Sequence, residues 1–306
     1  MSETPIVSVV IPTYRHQDYV TQAIESVFRQ TLREYEVIVV NDGSPDQTAA
    51  RLAPLAESGK IRYFEQANAG QAAARNRGLG AARGRYVAFF DDDDRWPPNK
   101  LEWQVGILDR SPDVGMVAGD VADLSEFPRG AEKPLDGPRS LDFESLFSGV
   151  PGVSLYSPGQ ALMRTELVRR SGGFDEAIWG ADDFDLYMRL ARKMRIAVYA
   201  RVALFYREHA DNASRDFGRL FANTAKVIRK QLPHVPRARR AAVRARADAW
   251  LYEWGGRRLV RQAKGRFRRG EWRAGVAQMG GVVRAMRFGL LRPGIAGRAV
   301  RDFRQA

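Results

Sequence analysis

Short apolar runs alternate with helix-like segments along the first hundred residues. The apolar runs are Val7–Ile11, Glu36–Val40, Ile61–Phe64 and Tyr86–Phe90. Each predicts a strand, and the continuously apolar run Tyr86–Phe90 is typical of a strand that is buried on both faces. The segments between them, 17–30, 46–57 and 71–82, carry apolar residues at helical spacing or begin with a capping residue such as Asp46. Strands and helices that alternate in this way predict right-handed βαβ units around a parallel sheet.

The fourth apolar run ends abruptly in four carboxylates, Asp91–Asp94. Burying an ionised acid without a partner is very costly, and adjacent carboxylates raise one another's pKa unless a cation lies among them. Open α/β sheets bind their ligands at the carboxyl ends of the strands. The pattern therefore predicts a divalent metal ion at this edge of the sheet, close to the strand ends Pro12–Tyr14 and Asn41–Ser44.

A dinucleotide-binding fold would show the same alternation of strands and helices. It needs a glycine-rich turn between the first strand and the first helix, and residues 7–14 contain no glycine. The nearest match, Gly78–Gly84, lies at the end of a predicted helix. A dehydrogenase is therefore disfavoured.

Composition narrows the classes further. The chain has 306 residues, of which 44% are hydrophobic and 28% charged, as in soluble proteins of one large domain or two ordinary ones. The absence of cysteine excludes disulfides and thiolate metal sites, and three histidines argue against zinc chemistry. Neither a signal pattern nor an apolar run of membrane-spanning length occurs, so we expect a cytoplasmic protein, with peripheral binding to the inner face of the plasma membrane as a further expectation.

The net charge of +13 is unevenly distributed. Residues 218–306 hold 23 Lys and Arg against 4 Asp and Glu, whereas the other 217 residues hold 26 against 32. This uneven distribution of charge indicates that the basic part has an anionic partner. The sequence of the basic part predicts helices at Arg237–Trp254 and Trp272–Met286. Basic amphipathic helices often lie on anionic bilayers, and a helical appendage packed on the preceding domain is the alternative for residues 217–306.

Six short motifs now form a pattern, in the order Val9–Tyr14, Val40–Ser44, Ala74–Asn76, Phe90–Asp94, Ser171–Glu176 and Ala181–Leu186. Together they resemble the ordered motifs of family 2 glycosyltransferases of the GT-A fold, over about residues 6–210. The resemblance implies a Rossmann-like, mostly parallel central sheet flanked by helices in residues 1–215. Residues 1–110 would bind the nucleotide sugar, 111–215 would provide the acceptor side and the base, and 216–306 would form a basic helical extension.

The resemblance also implies an activity. The chain would be an inverting glycosyltransferase that moves a sugar from a nucleotide-diphosphate donor, with a UDP-sugar favoured, to a hydroxyl of a glycan or lipid-linked acceptor in bacterial surface-polysaccharide synthesis. Mg²⁺ or Mn²⁺ would neutralise the leaving diphosphate. The resemblance assigns Asp93 and His209 to the metal and Asp91 to the ribose or a metal-bound water. Asp92 occupies a variable position of the motif and has no assigned role, and Asp94 is expected to cap the next helix.

The donor nucleotide is assigned to four other residues by the same resemblance. Asp42 would hydrogen-bond the base, Pro12 and Tyr14 would line its pocket, and Arg75 would contact the diphosphate or the base. The alternatives are an Asx turn at Asp42 and an exposed helical arginine at Arg75.

On the acceptor side, Asp183 aligns with the catalytic base of the family. A carboxylate near a helix amino end is held ionised, as a base requires. Asp182 is a site-lining candidate or a helix cap, Trp179 would stack on a sugar or fill the core, and Asp185 is expected to face solvent. The loop-rich segment Asp123–Gly152 is expected to face the acceptor.

Two other classes remain as alternatives. A nucleotidyltransferase also places acids and a nucleotide at a strand edge, but it usually needs a glycine-rich basic loop, which Pro12–Gln17 lacks. A nucleic-acid-binding protein would account for the basic tail, yet the field of Asp91–Asp94 would repel phosphate without a metal. Nucleic acid is therefore a disfavoured partner.

Overall fold

A computed structural model describes residues 4–127, 137–149, 155, 157–210, 212, 215–273 and 276. The chain forms two compact units. The first comprises residues 1–142, 152–176 and 189–209, and the second comprises residues 143–151, 177–188 and 210–306. The domain boundary at residue 215 and its division at residue 110 stay predictions.

The amino-terminal part of the first unit is a parallel β/α array. Its sheet order is β3-β2-β1-β4, and every neighbouring pair in it is parallel. This confirms the alternation predicted from the apolar runs. The elements are β1 (Val7–Thr13), α1 (Val20–Phe28), β2 (Tyr35–Asn41), α2 (Thr48–Glu57), β3 (Arg62–Glu65), α3 (Gln71–Ala81) and β4 (Tyr86–Phe89).

The sheet then continues as a mixed sheet in the order β4-β7-β5-β8-β6. Strand β7 runs antiparallel to both β4 and β5, whereas β8 is parallel to β5 and antiparallel to β6. The elements are α4 (Lys100–Arg110), β5 (Val114–Asp123), β6 (Arg139–Leu141), β7 (Ala161–Arg164), α5 (Thr165–Arg170) and β8 (Arg195–Tyr206).

Strand β1 lies at the centre of the parallel array, and all seven of its residues are buried. The apolar run Val7–Ile11 is shorter than the strand it predicted, because β1 continues through Pro12 to Thr13 alongside β2. Pairing with β4 ends at Val10, so the N–H that Pro12 lacks is not needed on that side. Beneath the acid loop the core is aromatic, with the rings of Phe90 and Trp96 stacked 4.2 Å apart.

The second unit is helical, as predicted for the carboxyl-terminal part of the chain. Its helices are α6 (Asp182–Ala191), which runs on from this unit into the first, α7 (Phe217–Gln231), α8 (Arg237–Leu251) and α9 (Arg257–Arg268), with a π-helical turn at Tyr252–Gly256. The apolar residues of α8 and α9, such as Val243 and Leu259, are buried. Most of the predicted helix Trp272–Met286 lies outside the described residues, as do residues 128–136 and 150–152 of the segment Asp123–Gly152.

Asp185 was expected to face solvent, and that expectation is wrong. Its side chain is 0% exposed and accepts hydrogen bonds from Lys230 Nζ and Gln231 Nε2, both at 2.9 Å. The two donors on α7 satisfy both carboxylate oxygens and supply the opposite charge, which makes burial of an acid tolerable. Within the described ranges no helix combines the length and the apolar character that crossing a membrane requires.

Candidate active site

The loops after β1 and β2 are joined at the carboxyl edge of the sheet. Asp46 accepts hydrogen bonds from the Thr48 N–H at 3.1 Å and hydroxyl at 2.6 Å. It lies one residue before Gln47, which holds the N-cap position of α2 that the sequence predicted for Asp46. The same carboxylate accepts the N–H of Gln17 at 3.3 Å, and the N–H of Arg15 donates to Ser44 Oγ at 3.2 Å. These bonds fix the two loops relative to each other.

Asp42 organises the loop that follows β3. Its buried carboxylate accepts the N–H groups of Ala69 at 2.9 Å and Gly70 at 2.8 Å, and the Gln66 side chain at 2.8 Å. Gly43 has φ +70°, and a Cβ there would lie 2.9 Å from a backbone nitrogen of this loop. Each carboxylate oxygen has more than one lone pair, so Asp42 can accept a further hydrogen bond. Its predicted contact with a nucleobase stays a prediction.

The other three residues assigned to the donor are placed differently. Pro12 is buried within β1, whereas Tyr14 is 37% exposed at the end of the strand. Arg75 is only 2% exposed, so the alternative of an exposed helical arginine is wrong. Its Nη2 donates to Asp91 Oδ1 at 2.6 Å, while Gln71 donates to the same oxygen at 3.0 Å. Arg75 therefore positions Asp91, and its predicted contact with the donor stays a prediction.

Asp94 binds the residues that follow β8. Its buried carboxylate accepts the backbone N–H of Arg207 at 2.9 Å, so the expectation that it caps α4 is wrong. The Arg207 guanidinium donates in turn to the carbonyl oxygen of Asp93 at 2.7 Å. The residues just after β8 are thereby fastened to the acid loop, which places His209 beside it.

Two histidines lie against the acids. His209 Nε2 is 2.8 Å from Asp93 Oδ2, and His16 Nδ1 is 2.7 Å from Asp92 Oδ1. The structure thus brings Asp93 and His209 together, as the metal assignment requires. Sequence reasoning gave His16 no role, although its place in the loop directly after β1 was a signal that it would lie at the same edge.

The electrostatics of the acid loop are unfavourable to full ionisation. Burial, followed by the charges of Asp92 and Asp91, raises the pKa of Asp93 to about 6, against the lowering effect of the His209 hydrogen bond. Burial and the neighbouring acids raise the pKa of Asp94 well above its ordinary value. Clustered acids of this kind are relieved when a cation binds among them.

The side chains present fit a divalent metal ion. His16, Asp93 and His209 each offer a ligand atom, and these atoms lie within 4.8 Å of one another. Imidazole nitrogen and carboxylate oxygen are ordinary ligands of divalent transition metals. Asp91 is engaged by Arg75, Gln71 and the Ser157 hydroxyl, the last at 3.1 Å from Oδ2.

The remaining candidates lie in the second unit. Helix α6 begins at Asp182, which is buried and is the first helical residue. Asp183 is half-buried in the first turn, and its Oδ1 accepts the N–H of Phe184 at 2.6 Å. Trp179 is half-buried, with the Arg219 guanidinium lying 4.2 Å from the centre of its ring.

Comparison with known proteins identifies the class to which this fold and site belong. The sequence profile of Glycosyl transferase family 2 matches residues 8–172. The chain is 31% identical over 243 residues to the uncharacterized glycosyltransferase RT0329 of Rickettsia typhi, with 74% of each chain covered. It is 36% identical over 149 residues to the putative teichuronic acid biosynthesis glycosyltransferase TuaG of Bacillus subtilis, covering 46% of this chain and 56% of TuaG. The chain belongs to glycosyl transferase family 2.

Solved structures share the fold. TarS 1–349 of S. aureus in complex with UDP-GlcNAc has a TM-score of 0.63 at 20% identity, covering 80% of this chain and 71% of the TarS 1–349 chain. Mannosyltransferase PcManGT from Pyrobaculum calidifontis in complex with GDP-Man and Mn²⁺ has a TM-score of 0.58 at 22% identity, covering 92% and 87%. These likenesses confirm the predicted fold class. In sequence, the matched region spans 74% of RT0329 but only 35% and 31% of two longer rickettsial relatives.

Proposed function

We propose that the chain is an inverting glycosyltransferase of bacterial surface-polysaccharide synthesis. It would take a sugar from a nucleotide-diphosphate donor, with a UDP-sugar favoured, and transfer it to a hydroxyl of a glycan or lipid-linked acceptor. Membership of the family supports the reaction class. The names of TuaG, with teichuronic acid, and TarS, with UDP-GlcNAc, support the acceptor and donor classes.

The observation that carries the proposal is the histidine-flanked acid loop at the carboxyl edge of the sheet. Asp93 and His209, with their ligand atoms 2.8 Å apart, would hold a divalent cation, for which Mn²⁺ has a precedent in the PcManGT complex. When bound, such a cation supplies positive charge to the departing diphosphate. Asp91, fixed by Arg75 and Gln71, would accept a hydrogen bond from the donor ribose.

Asp42, Pro12 and Tyr14 are proposed to bind the nucleobase. Asp42 lies at the end of β2, next to the end of β1, and its register there is fixed by the bond from its N–H to the Thr13 carbonyl at 2.9 Å. Tyr14 is exposed enough to pack on a planar base. Arg75 would act on the donor through the orientation of Asp91.

Asp183 is proposed as the general base that takes the proton from the attacking acceptor hydroxyl. Its place in the first turn of α6 supports this role, because the amino end of a helix stabilises the ionised carboxylate. Asp182, the first residue of α6, and Trp179, which precedes the helix, are proposed to line the acceptor site.

The test begins with a panel of UDP- and GDP-sugars, screened for metal-dependent hydrolysis and for thermal stabilisation of the protein. With the active donor, Asp183→Asn should lower the transfer rate by about 10²–10⁴-fold, the range that general base catalysis contributes. Donor affinity should survive, since Asp183 does not act on the nucleotide. The matched control is Asp113→Asn, at an exposed acid paired with Arg195. Transfer that persists in Asp183→Asn would show that another group is the base.

We also propose that the basic second unit binds anionic membrane lipid. Apolar residues of α8 and α9 are buried, among them Ala247, Leu251 and Ala263, whereas Arg258 and Arg261 are exposed. For the described part of these helices, this pattern favours electrostatic adsorption over insertion of an apolar helix face.

A further inference from the structure

One histidine and one acid of the candidate metal site have no part in the proposed function. His16 Nδ1 lies 2.7 Å from Asp92 Oδ1. The ring of His16 stands nearly perpendicular to that of His209, at 89°, with the ring centres 5.3 Å apart. A ligand atom of His16 lies within 4.8 Å of those of Asp93 and His209. His16 is therefore close enough to share an ion with the two predicted ligands.

The backbone around His16 is tightly held. Arg15 has φ +62°, a left-handed conformation that is unfavourable for residues with a Cβ. Its N–H donates to Ser44 Oγ at 3.2 Å, and the carbonyl of His16 accepts the N–H groups of Tyr19 at 2.9 Å and Val20 at 3.0 Å. The strained turn ends β1 and starts α1, and it directs His16 toward the acid loop.

Asp92 determines how the His16 ring is presented. Metal-binding histidines commonly donate their other ring N–H to a carboxylate, which fixes the tautomer and raises the basicity of the ligating nitrogen. With Nδ1–H donating to the buried carboxylate of Asp92, the ligating lone pair of His16 is on Nε2. Asp92, which occupies the variable position of the acid motif, would thus serve to orient His16.

The resulting ligand set differs from that of a magnesium site. Mg²⁺ prefers oxygen ligands and keeps several waters, whereas imidazole suits transition metals, whose affinities rise from Mn²⁺ to Co²⁺ and beyond. We propose that His16 is a third protein ligand, oriented by Asp92, and that two imidazoles with the Asp93 carboxylate select Mn²⁺ or Co²⁺ over Mg²⁺. The inference rests on the proposed function in that it takes the acid loop as the metal site of sugar transfer.

Two substitutions separate the nitrogens of His16. In His16→Asn the side-chain amide replaces Nδ1–H and keeps the donor to Asp92, but nothing replaces Nε2. In His16→Gln the amide oxygen stands near the place of Nε2, so an oxygen ligand replaces a nitrogen ligand. The control is His234→Asn, at an exposed histidine in the second unit.

Calorimetry on the metal-free full chain, with and without UDP, would measure the affinities for Mn²⁺, Co²⁺ and Mg²⁺. His16→Asn should weaken Mn²⁺ and Co²⁺ binding by at least about tenfold and Mg²⁺ binding far less, since a lost ligand or second-shell partner typically costs 10–100-fold. His16→Gln should lower the preference for Mn²⁺ over Mg²⁺, while His234→Asn should match the wild type. Unchanged Mn²⁺ affinity in His16→Asn, an equal loss for all three ions, or no saturable binding by the wild type would each overturn the proposal.

Pulsed electron paramagnetic resonance of Mn²⁺ bound to the wild type is independent of whether the variants fold. Two sets of imidazole nitrogen couplings are expected, and a single set would refute the role of His16. Donor hydrolysis by the wild type is measured separately. If hydrolysis is intact while only one imidazole binds, this inference fails alone, whereas loss of all donor binding and hydrolysis would refute the proposed function.

Discussion

Two buried acidic sites lie at opposite ends of the same parallel strands and are treated in opposite ways. At the amino edge, Glu36 accepts hydrogen bonds from Ser8 Oγ at 2.7 Å, Arg62 Nη1 at 2.7 Å and the Arg83 N–H at 2.8 Å. These donors outweigh the cost of burial, so the pKa of Glu36 is lowered. At the carboxyl edge, burial and neighbouring acids raise the pKa of Asp93 to about 6.

Under the proposed function, the difference separates a structural acid, Glu36, from a metal-binding acid, Asp93. Glu36 is satisfied by the chain itself and joins the starts of β1, β2 and β4 in a single network. Asp93 lies among other carboxylates and beside two histidines, a residue type that commonly binds metal ions. Raised pKa values of this kind cluster at functional sites. Burying several carboxylates together is unfavourable, and it occurs at the edge of the sheet where a bound cation can offset their charge.

The largest expected effect is on catalysis, from Asp93→Asn. The variant should lose at least about 10²–10³-fold in rate, because charge stabilisation by a bound metal is worth several kcal/mol. Its thermal stability without metal should equal or exceed that of the wild type, since a buried charge is removed. Initial rates with the identified donor and melting curves would measure both. If Asp93→Asn retains activity to within tenfold of the wild type, Asp93 does not serve metal binding, and the difference in function between the two edges of the sheet is refuted.

Glu36→Gln should give the opposite result. We expect a loss of about 1–3 kcal/mol of stability, as when a partner of buried hydrogen bonds is removed, with the lower part favoured because Arg83 is half exposed. The rate per folded molecule should be unchanged. Calorimetric melting and assays well below the melting temperature would separate these quantities, and a drop in rate without a drop in stability would contradict the structural role.

A smaller effect is expected on the pH dependence of stability, and its sign should be opposite for Asp93 and Glu36. The native state holds the Asp93 proton up to about pH 6, whereas the unfolded chain releases it near its ordinary pKa. The metal-free protein should therefore lose on the order of 1–2 kcal/mol as the pH rises from about 4 to 6. Glu36, with a lowered pKa, loses its contribution only as the pH falls below the ordinary range of glutamate.

Melting temperatures at several pH values, with and without Mn²⁺, would check this difference. Mn²⁺ should stabilise the protein more at pH 7.5 than at pH 5.5, and Asp93→Asn should flatten the slope near pH 6. A metal-free protein whose stability rises steadily through this range would contradict the assignment.

The smallest expected effect concerns the basic second unit. Sedimentation with anionic vesicles should show binding at low ionic strength that weakens as salt is raised, because attraction to anionic lipid falls off within a Debye length. Neutral vesicles and a single-stranded nucleic acid serve as comparison ligands. Absence of binding to anionic vesicles at low salt would refute the membrane proposal, and a stronger salt-sensitive interaction with the nucleic acid would replace it.

Local patterns in the sequence were sufficient for the scaffold. The apolar runs predicted the four parallel strands to within one or two residues, since a short run rich in β-branched and aromatic residues is a local signal for a strand. The ordered motifs identified the family and the edge of the sheet where Asp93 lies. The predicted exposure of Asp185 and the predicted capping role of Asp94 were wrong, because the partners of these acids, Lys230 and the backbone of Arg207, are distant along the chain.

By itself, then, the sequence determined the β/α scaffold, the family and the acidic edge, because each depends on side-chain periodicity or on contiguous motifs. Only the tertiary structure decided which acids are neutralised within the chain and which lie beside the histidines. It paired Arg75 with Asp91, bonded Asp94 to the backbone just after β8, and placed His16 and His209 beside each other against the acid loop. Hydrogen bonding and burial depend on the directions of side chains that meet from separate elements, and those directions are set only when the sheet has formed.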